Sequence, residues 1–305
     1  MIFVMGPTAS GKTGLALTLA QQLNGQIVNA DSVQVYRRLT IGAAKPTTAE
    51  RAAVPHHLID VAEPDDPFSV GRYRDAAVEI IDALHAQGVL PLLVGGTNLW
   101  LRALEQGIAD MPEVPAAIRD DLMQQVWGDG LAPLYARLQQ VDPEWAAHVT
   151  PGDTQRIVRA LSVFDASGVP LSQWIAQQQA EPCPYAILKL APIWPREVLY
   201  ARINQRFDQM MEEGFLAECA ELAAAGYDRN LPALKAVGYR QLLAHVDGAV
   251  DLATAVEDGK RESRRYAKRQ STWLAREPEL HRLEPQTAAA EALKLARAFL
   301  ADHPL

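Results

Sequence analysis

The chain has 305 residues, 49% of them hydrophobic, and a formal net charge of −8. That is enough apolar sequence to bury a full core, no run of 18 apolar residues suggests a membrane span, and the acidic balance excludes a surface that binds polyanions everywhere, because such binding requires Lys and Arg against phosphates. The opening MIFVMGPTASGK has neither a basic n-region nor a cleavage site, so a cytoplasmic protein is expected. Cys183 and Cys219 lack a CxxC partner and His-rich surroundings and read as reduced structural thiols. With no apolar heptad or exposed-edge signal, a monomer is expected.

Short apolar runs alternate with helical patterns over the first 110 or so residues. IFVM (2–5), QIVNA (26–30), HLIDV (57–61) and VLPLLVG (89–95) read as strands; GKTGLALTLAQQL, VGRYRDAAVEIIDALHAQ (closing at Gly88) and NLWLRALEQG read as helices. The rhythm then changes. From DMPEVPAAIRDD to about 182 there are amphipathic helices only, with Ile118, Leu122 and Val126 at i, i+4, i+8 and Asp142 and Asp153 as N-caps. After the breaker EPCP, YAILKLAPIW restores a strand, and helices over about 195–225, 231–246, 250–276 and 286–301 follow. The expected architecture is α/β: a core with a parallel sheet flanked by helices, in two parts (1–112 and 183–305), interrupted by an all-helical insertion (113–182).

GPTASGKT (6–13) matches GxxxxGK[ST] between a strand and a helix, the P-loop pattern, which makes the core P-loop NTPase-like. The loop amides of Gly6, Pro7, Thr8, Ala9, Ser10 and Gly11 surround an anion, except that proline has no N–H to give. Lys12 adds a positive charge, the helix N-terminus adds its dipole, and Thr13 can hold Mg²⁺. Asp31 ends the second strand, where an acid faces the phosphate crevice as a potential base; capping the next helix is its other reading. The segment KRESRRYAKRQ carries six basic residues against one acid, a net of +5. On a helix Lys260, Arg264 and Lys268 form one row and Arg261, Arg265 and Arg269 the next, either a nucleic-acid stripe or a solvated face. Arg202 and Arg206 stand one turn apart, lid arginines or a plain surface pair, and adjacent His56 and His57 point to opposite faces of a strand and read as packing residues.

GPTASGKT, NADSVQVYRRLTIGAAKP, PHHLIDV, VGGTNLW, VDPEWAAHVTPGDTQRIVRAL, LKAVGYRQ and SRRYAKRQSTWL, in this order and spacing from residue 6 to about 275, resemble the bacterial tRNA dimethylallyltransferases. The resemblance implies transfer of a dimethylallyl group from dimethylallyl diphosphate to the exocyclic amine of adenosine 37 beside the tRNA anticodon, with Mg²⁺. It places the diphosphate in the P-loop, with Lys12 and Thr13 in catalysis, Asp31 as base and Arg264 as the diphosphate-side arginine. It sets Asp31, Ser32, Val33, Gln34 and Thr97 against the target nucleotide. It assigns the anticodon stem-loop to Arg119, Gln155, Arg156, Arg159, Lys235, Gly238, Tyr239, Arg240, Arg264, Lys268, Arg269 and Gln270. Ala43, Trp100 and Ser263 depart from the family pattern of Thr, Tyr and Thr, which bears on channel shape. A small-molecule or nucleotide kinase is the alternative, with a non-catalytic tRNA binder behind it.

Overall fold

The computed structural model describes residues 1–108, 111–177 and 183–305; the expected close of the insertion at 182 and the first half of EPCP lie outside the described residues. The chain forms two compact units, Met1–Glu105 with Cys183–Leu305, and Gln106–Pro182. The insertion thus starts at Gln106, ahead of the 113 read from the change in rhythm.

The first unit opens with β1 (Ile2–Met5), α1 (Lys12–Gln22), β2 (Gly25–Asn29), α2 (Thr48–Ala53), β3 (His56–His57), α3 (Val70–Ala86), β4 (Leu90–Gly95) and α4 (Asn98–Gln106). The second unit holds α5 (Ala116–Asp129), α6 (Ala132–Val141), α7 (Pro143–Ala146), α8 (Thr154–Ser167) and α9 (Leu171–Ala176). The chain returns to the first with β5 (Leu188–Pro192), α10 (Arg196–Glu212), α11 (Phe215–Ala224), α12 (Tyr239–Val246), α13 (Leu252–Leu274), β6 (Leu280–Leu283) and α14 (Ala288–Asp302).

All six strands are parallel, in the order β3-β2-β4-β1-β5-β6. β1 and β4 are buried at every position, since helices cover both faces and leave no side for polar alternation. Successive residues feed opposite cores: Phe3, Met5, Val28 and Leu93 pack under α3, α4 and α11 to α13, while Ile2, Val4, Ile27 and Leu92 pack under α1 and α14. Pairing Met5 with Gly95 and Asn29 with Val94 ends β1, β2 and β4 at one level. In the second unit, α5, α6 and α8 enclose a separate core around Leu122, Leu138 and Leu161, with Asp142 and Asp153 accepting from the N–H groups of Trp145 and Arg156 as helix caps. Among the described residues no helix is long and apolar enough to cross a membrane.

Three local expectations change, and two elements appear that none covered. HLIDV contributes only His56–His57 to the sheet, because Leu58 and Asp60 take φ of 59° and 60°, left-handed values that no strand can continue through. Asp60 instead meets Lys45 Nζ at 2.5 Å and Arg51 Nη1 at 2.8 Å. The helix expected over 195–225 breaks at Gly214, whose φ of 105° divides α10 from α11. The expected 231–246 helix begins only at Tyr239, and both α2 and β6 go unannounced by hydrophobic period.

The level strand ends require a close approach that can be tested. A Cβ on Gly95 lies 2.0 Å from the Ala30 carbonyl oxygen, which no rotamer relieves, whereas one on Gly128 in α5 meets nothing within 4 Å. Gly95→Ala is expected to lower stability in urea unfolding by about 2–3 kcal/mol. Gly128→Ala is expected to raise it by about 0.5–1 kcal/mol.

Candidate active site and nucleic-acid interface

The loop between β1 and α1 is shaped by its own sequence. Gly11 adopts φ 92°, a left-handed value suited to glycine, and a Cβ on Gly6 collides with Ser10 Oγ at 2.5 Å. Ala9 takes φ 62° without that licence, a strained conformation of the kind found at binding sites. Its carbonyl accepts from Arg202 Nε at 2.9 Å, and that guanidinium stacks on Trp194, whose Nε1 donates to the Ser10 carbonyl at 2.8 Å. From the other side Gln270, buried on α13, accepts from Thr8 N–H at 3.0 Å and donates to the Gly96 carbonyl at 2.9 Å. α1 then starts at Lys12 with its N-terminus toward the loop, a ready anion site.

Asp31 is fixed just beyond β2. Asn29 Oδ1 accepts from the Asp31 N–H at 3.0 Å, and Asn29 Nδ2 donates to the Asp31 and Leu58 carbonyls. Asp31 Oδ1 accepts from Val33 N–H at 2.9 Å, a turn bond that replaces the helix cap allowed by the sequence, since no helix follows until α2. Its other oxygen has no hydrogen-bond partner among the described residues. Beside it, Thr97 N–H donates to the Ala30 carbonyl, and Thr97 Oγ1 accepts from Ser32 N–H, donates to Ser32 Oγ and bonds the Tyr266 hydroxyl. Burial pushes that phenol well up, with Asp31 adding to the shift, so Tyr266 stays neutral.

A cavity of about 460 Å³ joins these groups. One part of its lining is polar, with Thr8, Lys12, Thr13, Asp31 and Arg206; another is apolar, with Val33, Phe68, Trp100, Phe207 and Phe215; Lys235 and Arg269 also reach it. Burial lowers Lys12 to about 8, opposed by the Asp31 carboxylate and assisted by Arg206. At neutral pH Lys12 is still a cation, and its charge is lost as pH rises through about 8. Arg206 is likewise held below its usual value by burial, with Asp31 pulling it back up. Two cations therefore face one carboxylate across the space next to the loop.

The expected residues divide accordingly. Lys12, Thr13, Asp31, Ser32, Val33 and Gln34 line the cavity, while Gln34 Nε2 also donates to the Ala43 and Ala44 carbonyls. Arg264 is not in its lining: Nη1 donates to Asn204 Oδ1 at 2.6 Å, and the arginine turned to Lys12 and Asp31 is Arg206. Its signal was the i, i+4 pair with Arg202, which a plain surface pair explained equally well. Gly238, Tyr239 and Gln270 each have close partners within the protein. A Cβ on Gly238 meets the Phe215 ring at 2.9 Å, the Tyr239 hydroxyl donates to Glu218 at 2.6 Å, and both ends of the Gln270 amide are used as above.

The cationic stripe is shorter than its sequence. Lys260 pairs with Asp208 at 2.7 Å, Arg261 with Asp258 at 2.6 Å and Arg265 with Glu262 at 2.6 Å. Lys268 and Arg269 are exposed with no acid within salt-bridge distance among the described residues, Arg269 lying over the Tyr266 ring. Lys235 and Arg240 are exposed at the start of α12 and before it. In the second unit Arg119 on α5 and Gln155, Arg156 and Arg159 on α8 are all exposed. His57 Nε2 bonds Gln26 Oε1 and His56 Nδ1 bonds the Val54 carbonyl, separate partners that fit packing roles. Among the described residues no three His, Cys, Asp or Glu side chains cluster as a metal site, and both cysteines are free.

The model of the IPP transferase family matches residues 34–277, and that of isopentenyl transferases matches residues 1–60. A tRNA dimethylallyltransferase of Magnetococcus marinus is 61% identical over 97% of this chain and 98% of its own length. One of Syntrophobacter fumaroxidans is 48% identical over 92% and 82%. Among solved structures, the tRNA isopentenylpyrophosphate transferase of Bacillus halodurans aligns with TM-score 0.72 at 35% identity, over 99% of this chain and 95% of that one. A eukaryotic dimethylallyltransferase captured acting on tRNA aligns with TM-score 0.84 at 25% identity, over 100% and 80%.

The exchange of arginines has a direct consequence for anion binding. Arg206→Ala is expected to weaken pyrophosphate binding by about 10–100-fold in calorimetry, the loss of a charge-assisted contact worth about 1.5–3 kcal/mol. Arg264→Ala is expected to change it less than about threefold, since its guanidinium lies outside the cavity lining and donates to Asn204.

Proposed function

The chain belongs to the IPP transferase family, and from that premise we propose that it moves the dimethylallyl group of dimethylallyl diphosphate onto the N6 amine of adenosine 37 in the tRNA anticodon stem-loop. The observation that carries the reading is the meeting of Asp31, Lys12 and Arg206 at one cavity whose remaining walls are apolar. A kinase shares the P-loop and the sheet, but the family match covers most of the chain and goes to prenyl transfer instead.

In this reading the diphosphate lies against the loop amides, and the prenyl group lies among apolar side chains that keep water from the allylic carbon. As the C–O bond breaks, its electron pair goes to the diphosphate oxygen, where Lys12, Arg206 and the α1 N-terminus take up the growing charge. The N6 lone pair forms the new C–N bond, and the amine proton passes to the free oxygen of Asp31, so that the neutral secondary amine is released. Asp31 suits this because Val33 N–H holds one oxygen and leaves the other for the substrate. The adenosine comes from a single-stranded loop, whose bases can be splayed into a pocket without breaking a duplex.

Mg²⁺ fits the residues present. Thr13 lines the polar part of the cavity, and no self-sufficient ligand cluster exists among the described residues, as suits an ion that draws most of its oxygens from phosphate and water. When bound, it would offset charge on the departing diphosphate. Thr13 would hold it.

Incubation with dimethylallyl diphosphate and anticodon stem-loop RNA is expected to release pyrophosphate, and incubation with ATP and small acceptors to yield no ADP. ADP alone would return the chain to the kinases. Asp31→Ala is expected to cut turnover by about 10²–10⁴-fold while leaving RNA affinity within a small factor, because a base acts in the transition state; unchanged turnover removes Asp31 from that role. Replacing Lys268 and Arg269 together by Ala is expected to reduce the slope of log affinity against log salt by about 1–2, with a smaller effect on pyrophosphate binding than on RNA binding. A slope equal to the parent's would make this end of α13 a solvated face.

A further inference from the structure

The turn over residues 40–44, of which Gly42 to Ala44 line the cavity, is held by a single carboxylate. The backbone N–H groups of Thr40 and Ile41 donate to Glu218 Oε2 at 3.0 and 2.7 Å, and that of Gly42 donates to Oε1 at 3.2 Å. The Tyr239 hydroxyl adds a fourth donor to Oε1 at 2.6 Å. Consecutive N–H groups converging in this way form an anion-binding concavity, and here the anion is a side chain of α11. Charge-assisted bonds of this kind are stronger than neutral ones. Tyr239 is fully buried, and its phenol is pushed far up by burial and the adjacent carboxylate, so it remains a donor.

The surfaces beneath are fitted to the same contact. A Cβ on Gly42 would lie 2.1 Å from the Phe215 ring and 2.7 Å from that of Tyr239, so the turn rests flat on both rings. Gly238 lets α12 begin against Phe215 for the same reason. This absorbs GYRQ of the LKAVGYRQ motif: Tyr239 pins the turn through Glu218, and Gln241 caps the Gly238 N–H at 2.8 Å.

Past Gly42 the turn meets the reacting segment. The Ala43 and Ala44 carbonyls each accept from Gln34 Nε2 at 3.1 Å, and Gly42, Ala43 and Ala44 line the cavity together with Asp31 to Gln34. The stretch from Asp31 is therefore anchored by Asn29 and Thr97 at one end and by Gln34 at the other. The P-loop hangs on a different set of bonds, from Gln270, Trp194 and Arg202.

We infer that Glu218 is a positioning residue for the nucleotide acceptor: through the turn at 40–44 and Gln34 it sets the side of the cavity that carries Asp31, and leaves the diphosphate side alone. The inference rests on the proposed assignment of the Asp31 side to the RNA base. Glu218 touches no substrate.

The test compares Glu218→Gln and Tyr239→Phe with the parent, reading Kd for a labelled anticodon stem-loop and for pyrophosphate, KM for each substrate in turnover, and the thermal midpoint. For Glu218→Gln the RNA constants are expected to rise about tenfold, while pyrophosphate Kd and donor KM stay within about twofold of the parent. Tyr239→Phe, which keeps the three backbone donors, should shift the RNA constants in the same direction by less. The double variant should be no worse than Glu218→Gln alone, since both act through one carboxylate. Should Glu218→Gln fail to fold, the split in Tyr239→Phe decides. Unchanged constants with a lowered midpoint, or equal weakening of both ligands, would overturn the inference and leave Glu218 a purely structural residue. A parent that binds the stem-loop without prenylating it would count against the reaction, and the split in Kd would still be read.

Discussion

Three parallel strands that stop at one level are the constraint from which the rest follows. β1, β2 and β4 end together because Met5 pairs with Gly95 and Asn29 with Val94, and they draw close because Gly95 has no side chain to hold Ala30 away. The loops leaving them must then share the space above the sheet, the crevice where parallel α/β sheets hold their ligands. The P-loop leaves β1, Asp31 leaves β2 and Thr97 leaves β4. Residues far apart in the chain become neighbours because their strands run out at the same height.

What fills that space is set by charge. Lys12 and Arg206 are two partly buried cations disposed toward one carboxylate, an excess of positive charge that suits an anionic ligand. Burial is the main cause that lowers both cations, with Arg206 adding to the shift at Lys12 and Arg202 to that at Arg206. Around the site the balance is reversed: the chain is net acidic, and Asp208, Asp258 and Glu262 answer three of the six basic residues of α13. The far end of the stripe, at Lys268 and Arg269, is exposed with no acid within salt-bridge distance among the described residues. A positive pocket with a small positive approach inside an acidic molecule favours a local contact with RNA over general adhesion to it.

The parts of this arrangement that were legible in the sequence are those with local causes. The P-loop is a spacing, β1 and β4 are unbroken apolar runs, and Asp142 and Asp153 cap helices through bonds to residues three positions on. The parts that were not legible depend on tertiary partners. β6 has only four residues, LHRL, and becomes a strand by pairing with β5; HLIDV has a strand's composition, yet Asp60 is turned out of the sheet toward Lys45 and Arg51. Arg206 and Arg264 are equally basic in sequence, and Asn204, on the same helix as Arg206, captures one and leaves the other facing Asp31. Tyr239 and Gln270 sit in motifs that recur with the reaction, but a motif records that a residue is needed and says nothing of which way it points. Here both point into the protein, one toward the turn at 40–44 and one toward the P-loop.

The most direct test of the central claim is a structure of the chain with pyrophosphate and an anticodon stem-loop bound together. Phosphate oxygens are expected within hydrogen-bonding distance of Lys12 and Arg206, and the exocyclic amine of the entering adenosine within hydrogen-bonding distance of the free Asp31 oxygen, in the same cavity. An adenosine held elsewhere, or an Asp31 carboxylate turned away from the base with both ligands in place, would contradict that claim.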